Sequence, residues 1–481
     1  MLAAAAGLLA LITGPPGFDS IDGSEFAVAA ERMAVSHPPG YPLLLFLLRI
    51  FPGSGYASCR FLSALCASAA ILAASAWART SGRSEGSSLA VSAILVFSAP
   101  VFSQMNCVEV HPLAIVLTLL ALSAPGGPLS PYCFSLAVFG GHPAALLAAP
   151  LALARTARLT ALSVLLAAVP ATLTLYTPIV APGSEPMHYG RPASVEGVAA
   201  YLTLYRGRLS LPDPAFPAEL VSGFGPVTAG VMALFLAFSG RLRRAEAAAL
   251  AISILALSCY RMPDKGSLLW VLPVILLPAM ARGFDRMAGR GAAAAGAAAV
   301  LVAASAASGL LRSDRTRDVA ACLGSRDMLR GAPLEAVFCT IGHDAFYAAY
   351  NTDLDDVRPD IIPADMYGIY FDLRLASPLP PAIGGRPVVA TRGWDEPFLR
   401  LDGLLFTAEG CVRPGWDAME VFSAVFSSPD DFSRDYLAEL IARRAVQSPP
   451  AERESLSAMA LATVGSDLAR NRLEALIDLY R

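Results

Sequence analysis

Apolar runs fill most of residues 1–311 and thin out sharply beyond that point. The pattern predicts crossings at residues 1–13, 58–78, 88–105, 110–124, 131–153, 159–181, 221–239, 247–260, 267–281 and 292–311. A helix needs about 20 residues to cross a bilayer, so the first is short and either tilts or begins upstream. One polar stretch interrupts the series early. Phe18 to Leu43 holds Asp19, Asp22, Glu25 and Glu31 and closes on His37-Pro38-Pro39-Gly40-Tyr41-Pro42. Asp22 reads there as a helix N-cap, with Glu25 three residues on completing a capping box. Phe26, Ala30 and Met33 recur at helical spacing, which predicts a short amphipathic helix along the membrane surface. The prolines around Gly40 predict a rigid turn. Leu43 to Phe51 is too short to span and reads as re-entrant.

Charge then orders these segments. Basic residues favour the cytoplasmic side, and four connections carry them: Arg79 with Arg83, Arg155 with Arg158, Arg241 to Arg244, and Arg282, Arg286 with Arg290. If 131–153 crosses once, the second and third clusters fall outside. If the segment turns back at Gly140-Gly141-His142-Pro143, all four share one side. Each half is then about 15 Å long, a broken or re-entrant pair shielded by its neighbours. We adopt this second reading. It puts the N-terminus in the cytoplasm and leaves residues 14–57, the 103–111 turn, 182–220, 261–266 and 312–481 on the exterior face. His37, His111, His188 and His343 lie there, and His142 sits at the apex of the broken pair. Chemistry is therefore expected on the exterior face.

Composition agrees. The 481 residues are 55% hydrophobic and only 16% charged, against about 25% in soluble domains. This predicts a mainly α, polytopic protein of the cell (inner) membrane, with about 10–11 spans plus re-entrant and juxtamembrane helices. The net charge of −3 gives no nucleic-acid signal. The N-terminal run lacks a basic region and leads into further apolar segments, so it reads as a retained helix rather than a signal peptide. Eight cysteines show no zinc spacing. Cys322, Cys339 and Cys411 leave room for one disulfide in the polar tail.

That tail, residues 312–481, reads as a separate exterior domain, α/β followed by helices. Strands are predicted at Val337–Thr340, Asp360–Pro363 and Pro387–Thr391, with helices at Asp344–Tyr350, 416–426, 430–444 and 451–480. Asp353, Asp355 and Asp356 read as an acidic surface loop in preference to a calcium site.

Several groups in the exterior segments carry candidate chemistry. Glu109-Val110-His111 ends a turn between two crossings, where a carboxylate is costly unless it is paired or faces water. It is a site residue or else a salt-bridge partner of Arg60 or Arg49. His37 either contacts substrate or caps its own turn. His188 to Pro192, Tyr205-Arg206-Gly207-Arg208 and Lys265 beside Asp264 offer His188, Arg191, Arg206, Arg208 and Lys265 for phosphate recognition. Interfacial anchoring explains the same residues equally well. His37, His111 and His142 with Asp22 or Glu109 have donor types that suit zinc or manganese. They lie on different segments, so no metal or other cofactor is assigned.

Together these segments resemble one family: the membrane family that includes the endoplasmic-reticulum O-mannosyltransferase acting on IPT domains of plexins. Its members carry an acidic Asp-Ser-Gly-Glu stretch, then His-Pro-Pro-Gly-Tyr-Pro. Here Asp22-Gly23-Ser24-Glu25 exchanges the two small residues, and His37 to Pro42 is intact. Glu109-Val110-His111 is similar to the family's Glu-Val-Tyr, and Gly140-Gly141-His142 to its Gly-rich segment ending in His. His188 to Pro192 resembles Asn-Trp-Gly-Asp-Pro, with Arg191 in place of Asp. The tail segment FCTIGHDAFYAAYNTDLDDVRPDIIP resembles one built on Thr-Asn-Gly-Asp and Val-Arg-Pro-Asp. The resemblance runs nearly the full length.

It implies a GT-C glycosyltransferase fold for residues 1–311. Such an enzyme takes a sugar, mannose or a similar hexose, from a polyprenyl-phosphate donor and passes it to a protein or glycan hydroxyl at the exterior face. Asp22 would be the base, with Glu25 beside it and Glu109 orienting acceptor or sugar; a single displacement implies inversion. His37, Tyr41, His111, His142, His188, Arg191, Arg206, Arg208 and Lys265 would bind donor or acceptor. The competing reading is a transporter or lipid flippase whose site is the broken helix at Gly140–Pro143. The polar first loop and the lack of an evident inverted repeat favour the enzyme.

Overall fold

The computed structural model describes residues 1–18, 22–38, 40–51, 56–124, 127–155, 160–180, 210–260, 263–340, 342–365, 371, 373, 375, 379–391, 400–402, 404–407, 419–424, 426, 428 and 430–479. Among them, four helices are long and apolar enough to cross a membrane: Tyr56–Thr80, Ala161–Val180, Lys265–Ala288 and Ala292–Arg312. The pairs Glu85–Phe97 with Ala99–Met105 and Phe216–Phe224 with Pro226–Ser239 add two more if each counts as one span. The chain is a mainly helical, multi-pass membrane protein.

The expected straight crossings at 88–105 and 221–239 are corrected, because the first pair bends by 70° and the second by 103°. A proline stands in the first turn of each following helix, where its missing N–H and fixed φ favour a new helix start. Ser98 is extended, and Gly225 takes a φ of 76°. Other predicted crossings fall short of the length a bilayer needs. Leu2–Ile12 and His111–Ser123 are short apolar helices, and Arg244–Cys259 has 16 residues.

The first helices are α1 (Leu2–Ile12), α2 (Gly23–Arg32), α3 (Pro42–Ile50), α4 (Tyr56–Thr80), α5 (Glu85–Phe97), α6 (Ala99–Met105), α7 (His111–Ser123), α8 (Leu129–Leu136) and α9 (Ala149–Arg155). The segment from α8 to α9 does turn back. The Ser130 hydroxyl donates to the Ala121 carbonyl near the end of α7, while Gly141 lies against Ala114 near its start. Between them the helix loosens into a π turn (Ala137–Gly141), breaks at an extended His142 and resumes as a 3-10 turn (Pro143–Ala148). Arg155 then donates to the Thr80 and Ser81 hydroxyls at the far end of α4. A Cβ on Gly141 would sit 2.9 Å from the Ala114 Cα, so only glycine permits this approach.

The basic clusters gather at one end of the bundle. Arg83 faces Asp285 at 3.7 Å, and Arg282 makes a two-pronged pair with Glu246, which also accepts the Arg243 backbone N–H. Arg286 donates to the Phe238 carbonyl. The other end of α4, about 37 Å away at 1.5 Å per residue, meets the C-terminal domain, where the Tyr56 N–H donates to the Tyr350 hydroxyl at 3.2 Å.

That domain contains a mixed sheet of β1 (Val337–Thr340), β2 (Ile362–Asp365), β3 (Ala382–Ile383), β4 (Arg386–Ala390), β5 (Arg400–Asp402) and β6 (Leu405–Thr407). The order is β2-β1-β4-β6-β5, with β3 paired to β4. β1 runs parallel to β2 and β4, setting Val337 opposite both Ile362 and Val388. Helices Ala320–Gly331, Asp431–Gln447, Pro450–Thr463 and Asp467–Leu479 share a core with the sheet through Met328, Phe338, Val389, Leu437 and Ile441. The predicted strands are recovered within two residues. The predicted helix 451–480 is two helices, because Asp435 accepts the Gly465 and Ser466 N–H groups and holds a turn there. The stretch 416–426 is helical only at Glu420–Ser423, and 411–418 lie outside the described residues.

Of the three aspartates, Asp353 pairs with Arg32 and Asp355 with Arg326. Cys322 and Cys339 are not bridged to each other, and Cys411 lies outside the described residues.

Helix Asp344–Asp353 packs on α2, so α2 does not lie along a membrane surface as expected. Every residue from Gly23 to Ala30 is buried, and Phe26 shares one core with Phe346, Tyr347 and Tyr350 of the C-terminal domain. Covered on both sides, α2 carries its polar residues into the interior.

Candidate functional site

Glu25, in the first turn of α2, is fully buried. Its Oε1 accepts the backbone N–H of His37 at 2.5 Å, and its Oε2 lies 2.7 Å from His37 Nδ1. The expected capping box is therefore absent. Asp22 stands at the N-cap position, but its side chain takes no helix N–H. His37 gives Glu25 two donors, one of them charge-assisted, and these outweigh a single neutral helix donor.

Asp22 instead bridges two imidazoles. Its Oδ2 is 3.6 Å from His37 Nε2 and its Oδ1 is 3.6 Å from His343 Nε2. His37 thus has a carboxylate facing each ring nitrogen. Burial would lower its affinity for the proton, but the Glu25 and Asp22 charges prevail and raise it to about 10, so the ring is an imidazolium. Burial would likewise raise the Asp22 carboxyl. The His37 charge, with the His343 ring 3.6 Å away, outweighs burial and brings it to about 2. Burial does push the Glu25 carboxyl upward, against the pull of His37.

The turn after α2 builds the floor. The Gly40 N–H donates to the His37 carbonyl, the Ser36 hydroxyl donates to the Gly40 carbonyl, and Gly40 takes a φ of 93°. Tyr41 follows at a φ of 42°, uncommon for a non-glycine residue. This swings its ring against Phe26 and His37 and parallel to His142, with centroids 6.2 Å apart.

His111, the first residue of α7, lies 4.6 Å from His142 between ring centroids. Both tautomers follow from their partners. The Trp270 indole N–H, which can only donate, points at His111 Nδ1 at 3.3 Å, and the Ala144 backbone N–H points at His142 Nδ1 at 3.0 Å. Each Nδ1 must accept, so each neutral ring carries its hydrogen on Nε2. His111 and His142 are therefore neutral donors, in contrast to the cationic His37.

Glu109, nearly buried, accepts the Val110 N–H at 3.2 Å, and its charge reaches His37. The arginines considered as its partners are engaged elsewhere. Arg49 pairs with Glu31 at 2.8 Å, and Arg60 donates to the Pro15 and Leu11 carbonyls. Lys265 faces Glu219 and Asp213 and lies over the Phe216 ring, so two carboxylates already compensate its charge. His188, Arg191, Arg206 and Arg208 lie outside the described residues.

The structure thus brings Asp22, Glu25, His37, Tyr41, His111 and His142 together, at the bundle end remote from the basic clusters. Asp22, Glu25 and His37 each offer one ligand atom within 4.8 Å of the others. A divalent cation would first have to free His37 from Glu25, since a metal needs a neutral ring lone pair. Two members are not assigned by the sequence: Trp270, and His343, which reads there only as an exterior histidine. Both reach the site through tertiary contacts, which leave no local pattern.

Comparison with models of known protein families finds no match, and comparison with curated protein sequences finds none either.

Proposed function

We propose that this protein is a glycosyltransferase of GT-C type, which moves a sugar from a polyprenyl-phosphate donor to an acceptor hydroxyl on the exterior membrane face. The observation that carries the reading is Asp22, an ionised carboxylate between two imidazoles at the bundle end opposite the arginine clusters. With those clusters in the cytoplasm, that end faces outward, where a lipid donor and a water-borne acceptor can meet.

Asp22 takes the proton of the acceptor hydroxyl as its oxygen attacks the anomeric carbon, and the lipid phosphate leaves with the bonding pair. One displacement inverts the anomeric centre. His37, fixed by Glu25, is a buried cation beside the reacting groups, suited to the charge that develops on the phosphate. His111 and His142 offer neutral N–H donors for sugar hydroxyls or phosphate oxygens, and Glu109 orients the sugar or acceptor. Mannose or a similar hexose as the sugar, and a protein or glycan as the acceptor, rest on the family resemblance alone.

A transporter or lipid flippase is the second reading, favoured by the helix break at His142. Mass spectrometry of exterior glycans separates the two. Cells lacking the protein should lose a sugar from an exterior glycoconjugate, wild type should restore it and Asp22→Asn should not. Restoration by Asp22→Asn would overturn the catalytic assignment.

A further inference from the structure

We propose that His343, carried by the C-terminal domain, is a positioning residue for Asp22, so that the exterior domain completes the site rather than merely covering it. The proposal rests on the reading of Asp22 as the base.

The geometry is that of a clamp. His343 directly precedes helix Asp344–Asp353, and several contacts fix that helix on the membrane domain. Arg32 forms a two-pronged pair with Asp353 at its far end. Phe18 stacks on Tyr347 at 5.5 Å and leans on Tyr350 at 4.9 Å. Tyr350 in turn accepts the Tyr56 N–H. These contacts set the start of the helix over α2, where His343 Nε2 comes within 3.6 Å of Asp22 Oδ1 while His37 Nε2 stands 3.6 Å from Oδ2. Two imidazoles, one from each domain, thereby set the orientation of one carboxylate.

The two histidines are not equivalent. The His343 side chain is 38% exposed against 13% for His37, so His343 stands on the open side of Asp22. Among the described residues, the charged groups that act on it are Asp22, Glu25 and Asp344, with His37 across the carboxylate. Burial works against its protonation, but the nearby Asp22 carboxylate, followed by the charges of Glu25 and Asp344, raises its affinity for the proton. It therefore stands over the base as its partner, on the open side of the carboxylate.

The first test needs no enzymatic activity. Diethyl pyrocarbonate modifies neutral imidazole, so its rate at the His343 peptide, followed by mass spectrometry across pH, reports that ring's titration. The midpoint in wild type should lie above the midpoint in Asp22→Asn; coincident midpoints would overturn the pairing. The second test is the pH profile of sugar transfer from synthetic polyprenyl-phosphate mannose. In His343→Gln, Asp22 loses a group that holds its carboxyl down, the carboxyl rises, and the acid limb of transfer should move to higher pH. A uniform loss at every pH would mean a structural role and overturn the positioning assignment. If the midpoint shift is present and wild type transfers nothing, the transferase reading fails while the Asp22–His343 pairing stands.

Discussion

At the scale of single residues, the arrangement turns on one buried imidazolium held between two carboxylates. The raised His37 stabilises the fold fully below the ordinary histidine value and loses that contribution as pH rises through about 10. The lowered Asp22 contributes above the ordinary aspartate value and loses its share as pH falls toward about 2. Glu25→Gln keeps an oxygen for the His37 backbone N–H but removes the charge that most favours the imidazolium. Thermal melting across pH should then show the alkaline fall of stability beginning at lower pH than in wild type. An unchanged alkaline limb would mean that Glu25 does not hold the His37 proton. The low Asp22 value also bears on mechanism. In the proposed transfer, so weak a base would accept a proton late, once bond formation to the sugar has made the acceptor hydroxyl acidic.

At the scale of elements, the site depends on close approaches that only small residues allow. Gly141→Ala would place a Cβ 2.9 Å from backbone at Ala114, overpacking of a kind that costs about 1–3 kcal/mol. Gly86, in α5, has open space where a side chain would begin, with nothing within 4 Å of a Cβ added there. Alanine at that position should stabilise by up to about 1 kcal/mol. Opposite shifts in melting temperature for the two variants are expected; equal shifts would mean that the turn at His142 is not tightly packed. Much of this level is legible in the sequence. Charge parity at Arg155 and Arg158 calls for a chain reversal at Gly140–Pro143, and the strands of the tail announce themselves by short apolar runs. The bends at Ser98 and Gly225 escape a hydropathy reading because apolar content continues across them. The capping box misleads for a different reason. Asp22 and Glu25 have the right spacing, but His37, twelve residues past Glu25, competes for Glu25 and wins. The partnership of Asp22 with His343 spans more than three hundred residues and has no sequence signature.

At the scale of the whole molecule, three features converge on one end of the bundle: the turn after α2, the apex of the broken helix pair, and the first residues of helix Asp344–Asp353. The arginines occupy the other end. On the proposed function, this polarity would let a lipid-borne donor meet an acceptor from water at that end, and the C-terminal domain is part of it. The central claim is that Asp22 is the base of a sugar transfer, and purified protein in lipid nanodiscs tests it most directly. With labelled polyprenyl-phosphate mannose and exterior glycoconjugates extracted from cells lacking the protein, wild type should move label from lipid to acceptor. Asp22→Asn, shown by its melting curve to be folded, should lose about 100-fold or more of that rate, the scale of a removed general base. Transfer by folded Asp22→Asn at the wild-type rate would contradict the claim.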